Sequence, residues 1–367
     1  MSETFAFEEL TWPDVEALPR QTPLALPVGS KQVQERLANY FDRSERVGLL
    51  PAIPYGWAGS SLEVQNGRLK ACLENLHEGL REDGFERTLT LPPVYPQEAP
   101  LPTDVEQGKV VLIPIGQTEQ HAYHLPLSTD TLIIEAIAQG VAAAVPDQAV
   151  ALPVIPYGVS MHRRAFAGTF NAGGRAFEDF WLGVIDALVG RGFDRFYLLS
   201  GHGGNCSFLT NVVKYAGERH PRIFCATSWL YLSGPAGIAA LEQRRKSSMG
   251  GMGHACELET SLILHLRPDL VHMDKVVDEI DFVSTPAYYM DWVEGGALVA
   301  NPPWEDDTAS GAYGAGSLAN AENGKAWLEA AIAEKVDHVA QIHEQHHRRE
   351  TRRRSGYGRW GKGHSSR

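Results

Sequence analysis

Between Glu119 and Asp130 the chain carries two carboxylates and two imidazoles, Glu119, His121, His124 and Asp130. Glu119 and His121 are two residues apart, so in extended backbone both side chains fall on one face. Asp130 follows at the start of a helix. A carboxylate, an imidazole and a second carboxylate in one turn-rich segment suit a divalent ion. Read without chemistry, Thr129 and Asp130 cap the helix beginning near Thr131, and His121 and His124 lie on a surface loop.

Three other segments hold side chains of the same kind. SGHGGN (200–205) sets three glycines around His202, letting the backbone turn sharply and approach a ligand. It lacks the GxxxxGK[ST] pattern of a phosphate loop, and its plainer reading is a tight turn with an incidental histidine. GHACELETSLILHLRPDL (253–270) reads as a loop entering a helix. Glu257 comes three residues after His254, a spacing that makes neighbours on a helix, while Glu259 lies elsewhere on the turn. One of the two glutamates suits the positive helix N-terminus; Glu257 is the one assigned to chemistry. GVSMHRRAFAGTFN (158–171) offers His162 for substrate contact, and Arg163 or Arg164 for an anionic substrate group. An exposed basic pair is the alternative.

These residues need a scaffold, and the apolar pattern supplies one. VVLIPIG (110–116) is an apolar run closed by glycine, which suits a strand covered on both faces. Strands are predicted at 109–115, 149–155, 195–199 and 222–227, and helices at 131–145, 175–191 and 207–219. Such alternation predicts a parallel sheet with helices on both faces. Ligands of open α/β sheets sit beyond the strand carboxyl ends, where the polar clusters fall.

The first hundred residues repeat this pattern. LPVGSKQVQ (26–34) resembles IPIGQTEQH (113–121), and LLPAIPYG (49–56) resembles ALPVIPYG (151–158). The stretch at 67–93 resembles that at 174–201, each a helix, a Gly-Phe turn and a strand. A shortened internal duplication follows, with Gln32 and Gln34 where Glu119 and His121 stand, so the first copy cannot hold the same metals. The expected division is a degenerate partial repeat at 1–94, a proline-rich linker at 95–108, a catalytic domain at 109–336, and a helix end with a basic, disordered tail at 337–367.

Composition is that of a globular protein, with 43% hydrophobic and 21% charged residues. No run of eighteen apolar residues exists, and the acidic N-terminus lacks the basic and apolar regions of a signal peptide, which argues against membrane insertion and secretion. Cys72, Cys206, Cys225 and Cys256 show no CxxC spacing, so a reduced, cytoplasmic protein is expected. Residues 348–367 hold eight Lys/Arg against one acid within a net charge of −12. The acidic remainder is a poor nucleic-acid binder.

Taken in order, IGQTEQHAYHLPLSTD, GVSMHRRAFAGTFN, SGHGGN, HACELETSLILHLRPDLV and SGAYGAGSLANAENGKAWLEAA resemble the motifs of the creatininase (creatinine amidohydrolase) family. The resemblance covers 109 to roughly 336, and residues 10–30 also resemble the family's start. It implies a three-layer α/β/α fold with a mainly parallel sheet, homo-oligomers that are often hexamers, and two divalent ions per subunit (Zn, Mn or Fe). Carried onto this chain, Glu119, Asp130 and His202 hold one ion and His121 and Asp130 the second, with His254 as acid/base or substrate-orienting residue. Creatininase has a tyrosine and a metal-binding glutamate where this chain has Gly203 and Gly204, so the missing carboxylate is assigned to Glu257. A tryptophan over the creatininase substrate is replaced by Gly250, Ala122 and Tyr123 replace Gly-Pro, and Cys256 replaces a glycine, so the pocket wall is altered and creatinine is not the expected substrate. Tyr123, His162 and Arg163 are the expected substrate contacts. Cys206 and Cys256 are read as packing residues rather than soft ligands.

The reaction this implies is attack of a metal-bridged hydroxide on a small cyclic amide, with His254 or Glu257 moving the proton. The alternatives are hydrolytic ring opening of a cyclic diketone such as 3-dehydro-scyllo-inosose, peptide cleavage, and a non-enzymatic scaffold.

Overall fold

The computed structural model describes residues 3–29, 33–42, 44–93, 101–162, 165–293 and 295–355. The first part of the chain runs β1 (Glu3–Ala6), α1 (Trp12–Glu16), β2 (Leu24–Pro27), α2 (Gln34–Leu37), β3 (Arg46–Leu49), α3 (Arg68–Glu82) and β4 (Thr88–Leu91). Its four strands form a parallel sheet in the order β1-β3-β2-β4. The second part runs β5 (Val110–Ile115), α4 (Thr129–Ala144), β6 (Ala149–Ala151), α5 (Gly174–Gly190), β7 (Arg195–Ser200), α6 (Gly203–Arg219), β8 (Phe224–Thr227), α7 (Pro235–Arg244), β9 (Met252–His254), α8 (Glu257–Leu266), β10 (Tyr313–Gly314) and α9 (Ala321–Arg354). Here β6-β5-β7-β8 form a second parallel sheet, and β9 pairs with β10 antiparallel. The order β3-β2-β4 in the first sheet matches β6-β5-β7 in the second.

Every residue of β5 is buried, and alternate residues serve two cores. Val111, Ile113 and Ile115 join Phe177, Trp181, Ile185 and Leu209 of α5 and α6. Val110 and Leu112 join Ile133, Ile137, Leu262, Trp327 and Val339 of α4, α8 and α9. The sheet is therefore the middle layer of an α/β/α sandwich. The first core continues into the amino-terminal sheet through Leu24, Leu26, Ile53 and Leu76, with α3 against α5.

Two helices end or begin elsewhere than expected. Helix α6 starts at Gly203, four residues early, because Gly203 and Gly204 are helical and His202 is its extended N-cap. Helix α9 continues through the basic run to Arg354. Its polar face is pinned there: His346 lies 3.2 Å from Asp194, Arg222 lies 3.4 Å from Glu350, and Arg353 donates to Pro221 O at 2.7 Å. Residues 356–367 lie outside the described residues, as do 94–100 of the expected linker and Gln32; the Gln34 side chain is likewise not described. The described part of the linker carries a short turn, Asp104–Glu106, closed by a capping box between Thr103 and Glu106. Among the described residues no helix is long and apolar enough to cross a membrane.

Candidate metal centre

Strand β5 delivers the chain into a loop that is polar yet sealed. Glu119, His121, His124 and Asp130 are at most 1% exposed, so the loop is not a surface loop. Burial is tolerated because its polar groups are answered. Gln117 donates to Phe170 O and accepts from Gly158 N at 2.7 and 2.6 Å, and Thr118 Oγ1 donates to Pro156 O at 2.8 Å. His124 turns away to Thr260 Oγ1 at 2.9 Å.

The remaining acids and imidazoles converge with residues from two other strand ends. His202 Nδ1 lies 3.0 Å from Glu119 Oε1 and 3.2 Å from Asp130 Oδ2. His121 Nε2 lies 3.2 Å from Asp130 Oδ1 and 3.9 Å from Glu259 Oε1. His254 Nδ1 lies 3.9 Å from Glu119 Oε1 and 4.0 Å from Glu259 Oε2, its ring 4.0 Å from that of His121. Three overlapping sets of ligand atoms result: Glu119, Asp130 and His202; His121, Asp130 and Glu259; and Glu119, His121 and His254. The two oxygens of Asp130 face different imidazoles, so this residue is shared by the first two of these sets.

Each imidazole is held by a carbonyl, which can only accept. His202 Nε2 therefore donates to Val159 O at 3.0 Å, His121 Nδ1 to Glu119 O at 3.1 Å, and His254 Nε2 to Gln120 O at 2.7 Å. The other nitrogen of each ring is left for the centre, the outer-shell arrangement of metal-binding histidines. Ser160 Oγ holds Glu119 Oε2 at 2.9 Å in the same way. Buried His121 Nε2 and Asp130 Oδ2 meet Asp130 Oδ1 and His202 Nδ1, respectively, in 3.2 Å ion pairs without hydrogen-bond geometry, contacts that a divalent cation would replace. The donors are oxygen and imidazole nitrogen, which suit zinc, manganese or iron. Cys256 belongs to none of the three sets, and burial pushes its thiol well above its usual range.

Burial works against charge on His121, but Asp130 and Glu259 outweigh it and raise the ring to about 10. At His202 burial is likewise outweighed, by Glu119 and Asp130, and the ring rises to about 9. A ligating imidazole is neutral, so metal uptake must expel both protons. Uptake of two ions at pH 7 is expected to release about two protons per chain, one per ion, and the apparent Kd of each ion to tighten by about tenfold per pH unit between roughly pH 6.5 and 9. Calorimetry in buffers of different ionisation enthalpy checks this; a pH-independent Kd contradicts it.

Of the residues singled out in the sequence, Glu119, His121, Asp130, His202 and His254 are brought together, and Glu257 is not. Glu257 accepts from Lys246 N at 3.0 and 3.2 Å and from Ser247 N at 2.8 Å, anchoring the segment before β9. The helical three-residue spacing fails because His254 is on a strand, and Ala255, in the left-handed region at φ 49°, separates it from α8. Glu259 instead turns back to Ala255 N at 2.6 Å and to the imidazoles. Glu259→Gln should therefore lower metal content. Glu257→Gln should leave it unchanged while costing about 1–2 kcal/mol of stability. Elemental mass spectrometry with urea unfolding separates the two.

Tyr123 is turned from the centre, with its ring 5.6 Å from that of Trp12 and its hydroxyl 3.4 Å from Ala309 O. Arg163 and Arg164 lie outside the described residues. His162 lines the cavity over the centre, 5.0 Å from Trp304.

A sequence model of the creatininase family, described as creatinine amidohydrolase, matches residues 99–339. The chain belongs to the creatininase family. It is 34% identical over 177 residues to the mycofactocin precursor peptide peptidase of Mycobacterium ulcerans (strain Agy99), covering 45% of this chain and 62% of that protein. It thus spans less than two thirds of that relative. Over 185 residues it is 29% identical to the creatinine amidohydrolase of Pseudomonas putida, covering 46% and 68% of the two chains. Over 247 residues it is 28% identical to the 3-dehydro-scyllo-inosose hydrolase of Thermotoga maritima (strain ATCC 43589 / DSM 3109 / JCM 10099 / NBRC 100826 / MSB8), covering 62% and 76%. Among solved structures it is similar to creatininase at TM-score 0.54 and 25% identity, covering 65% of this chain and 92% of the other.

Within this creatininase-family frame, the centre forms the floor of a cavity of about 530 Å³. Asp130, His202, His254 and Glu259 face it from below, and Met161, Phe208, Trp229, Leu230, Met290 and Trp304 wall it. Trp304 is 4% exposed, 5.1 Å from the His254 ring and stacked 4.4 Å from Tyr313. Trp304 N donates to His162 O at 3.1 Å, and the turn that follows is held by Glu279, whose carboxylate accepts from Ala309 N and Ser310 N at 3.1 Å each and from the Thr308 and Ser310 hydroxyls. Sequence reasoning missed Trp304 and chose Glu257 over Glu259. Only the residue type of Trp304, in a segment adjoining a recognised motif, could have marked it.

Proposed function

We propose that this creatininase-family chain is a metal-dependent hydrolase of an amide bond flanked by a bulky apolar group, with a cyclic amide as first choice. The observation carrying this reading is the apolar wall set directly over a buried carboxylate and imidazole cluster. A cleft of this size and lining suits a substrate well beyond one small polar ring. Divalent ions bound at the cluster would supply Lewis acidity, polarising a carbonyl and lowering the pKa of water. Glu119, His121, Asp130, His202 and Glu259 would hold them. His254, its Nε2 fixed by Gln120 O, presents Nδ1 between the carboxylates and the cavity, and carries a proton towards the departing amine. Trp304 and Met161 shield the reacting bond from bulk water.

Hydrolytic opening of a cyclic polyhydroxy diketone is the second reading. It is favoured by the long alignment with the inosose hydrolase. Asp291, which also lines the cavity, is engaged by Arg245 at 2.8 and 2.6 Å and so is not open to ring hydroxyls. The test offers metal-loaded protein a phenylalanine-containing cyclic dipeptide, a linear phenylalanine amide and 3-dehydro-scyllo-inosose. Hydrolysis of either amide, lost on Asp130→Asn, is expected. Turnover of the keto-inositol alone would replace this reading with the second.

A further inference from the structure

The family match begins at residue 99, yet the chain before it grips the loop that carries Glu119, His121 and Asp130 and the loop that lies behind His202 and Glu119. Leu127 N donates to Leu10 O at 2.9 Å and Ser128 N to Glu8 O at 3.0 Å, just ahead of Asp130. Trp12 Nε1 donates to Ser310 O at 2.8 Å, and the Trp12 ring lies 5.3 Å from Phe166. At the end of α3, Asp83 Oδ2 accepts from Gly168 N at 2.9 Å.

Gly168 is the pivot of the second loop. Its φ is +82°, and an added Cβ would lie 2.9 Å from Leu127 and 3.2 Å from Val15. The bond from Asp83 therefore acts on a backbone position with little freedom to shift. The next residue, Thr169, accepts from Gln120 N through Oγ1 at 3.0 Å, and Phe170 N donates to Thr118 O at 3.0 Å. Earlier in the same loop, Val159 O receives His202 Nε2 and Ser160 Oγ holds Glu119. Ala172 N donates to Gly158 O at 2.8 Å, so the described stretches on either side of residues 163–164 are tied to each other, and bonds run from Asp83 by way of 168–172 and 158–160 to two members of the ligand cluster.

We infer that the amino-terminal module, which lies outside the family match, completes the metal centre from outside, with Asp83 as the positioning residue that fixes Gly168–Ala172 and, through Gly158, the backbone behind His202 and Glu119. This rests on the metal-centre reading. The module's own loss of ligand types fits such a part, since a support needs backbone and shape rather than donors. Its effect should be felt as altered metal binding, because partners behind metal ligands typically change affinity by about 10- to 100-fold.

The test uses the full chain loaded with Co²⁺, whose visible absorption reports ligand geometry, in wild type, Asp83→Ala, Asp83→Asn and His77→Ala. His77 sits on the same helix but bonds only within its own module, to the Thr88 and Thr90 hydroxyls at 3.0 and 2.7 Å. Asp83→Ala is expected to weaken Co²⁺ binding by about tenfold and to change the absorption bands. Asp83→Asn, which keeps an acceptor oxygen, should restore both. His77→Ala should bind Co²⁺ as wild type does even if its Tm falls. Wild-type affinity and absorption in Asp83→Ala would overturn the inference while leaving the metal centre standing. Absence of Co²⁺ binding in wild type would overturn both.

Discussion

Gly204→Ala is expected to cost about 3 kcal/mol of stability and to strip the centre of metal, while Gly203→Ala, one residue earlier, is tolerated. A Cβ at Gly204 would lie 2.3 Å from Val159 O and 2.4 Å from His202 Nε2, the two atoms whose hydrogen bond orients that ligand. Neither belongs to a flexible side-chain end, so the loop or the helix must move. Helix propensity pulls the other way, but alanine gains only about 1 kcal/mol over glycine, and the steric cost exceeds it. At Gly203 the nearest atoms are 3.9 and 4.0 Å away, in Trp229 and Leu230, so only the modest propensity gain remains. Chemical unfolding with metal analysis of both variants checks the contrast. Equal behaviour would remove the close-approach account of this motif.

Asp130→Asn is expected to have the second large effect. The side chain keeps its volume, but an amide cannot give an anionic oxygen to both His121 and His202, each now 3.2 Å away. Both centres should be lost together. The metal-free protein should change as well. Raised folded-state pKa values at His121 and His202 contribute stability that is fully present below the unfolded value of about 6.5 and is lost as pH rises through about 9 and 10. Metal-free wild type should therefore lose stability between neutral pH and pH 10. In Asp130→Asn burial prevails over a weakened carboxylate field, and that slope should flatten. Urea midpoints of the metal-free proteins across this range give the answer.

Much of the scaffold was legible because it follows from periodicity. The apolar run at 110–115 could only be a strand covered twice, and the loops after β5, β6 and β7 had to meet at one edge of a parallel sheet. Glu119, His121, Asp130 and His202 could be grouped on that ground, with the family resemblance fixing their pairing. Glu257 and Glu259 could not be told apart, because the choice turns on one left-handed residue, Ala255, which no spacing rule reveals. Nor could the start of α6 be placed, since glycine has poor helix propensity and Gly204 is there for contact with Val159 and His202 rather than for the helix. Trp304 reaches the cavity from a segment without apolar periodicity, held by His162 O and the Tyr313 ring, so its place depends on tertiary contacts alone. Support from Asp83 was equally hidden, because the repeat suggested a module without chemistry but not which loops it would hold.

The proposed pair of divalent ions, with Asp130 shared between their ligand sets, is tested most directly by metal stoichiometry. Wild type and Asp130→Asn, purified after growth in metal-supplemented medium, would be analysed side by side by elemental mass spectrometry. The predicted result is about two divalent ions per wild-type chain and none in the variant. Metal-free wild type, or a variant that keeps its ions, would contradict the account.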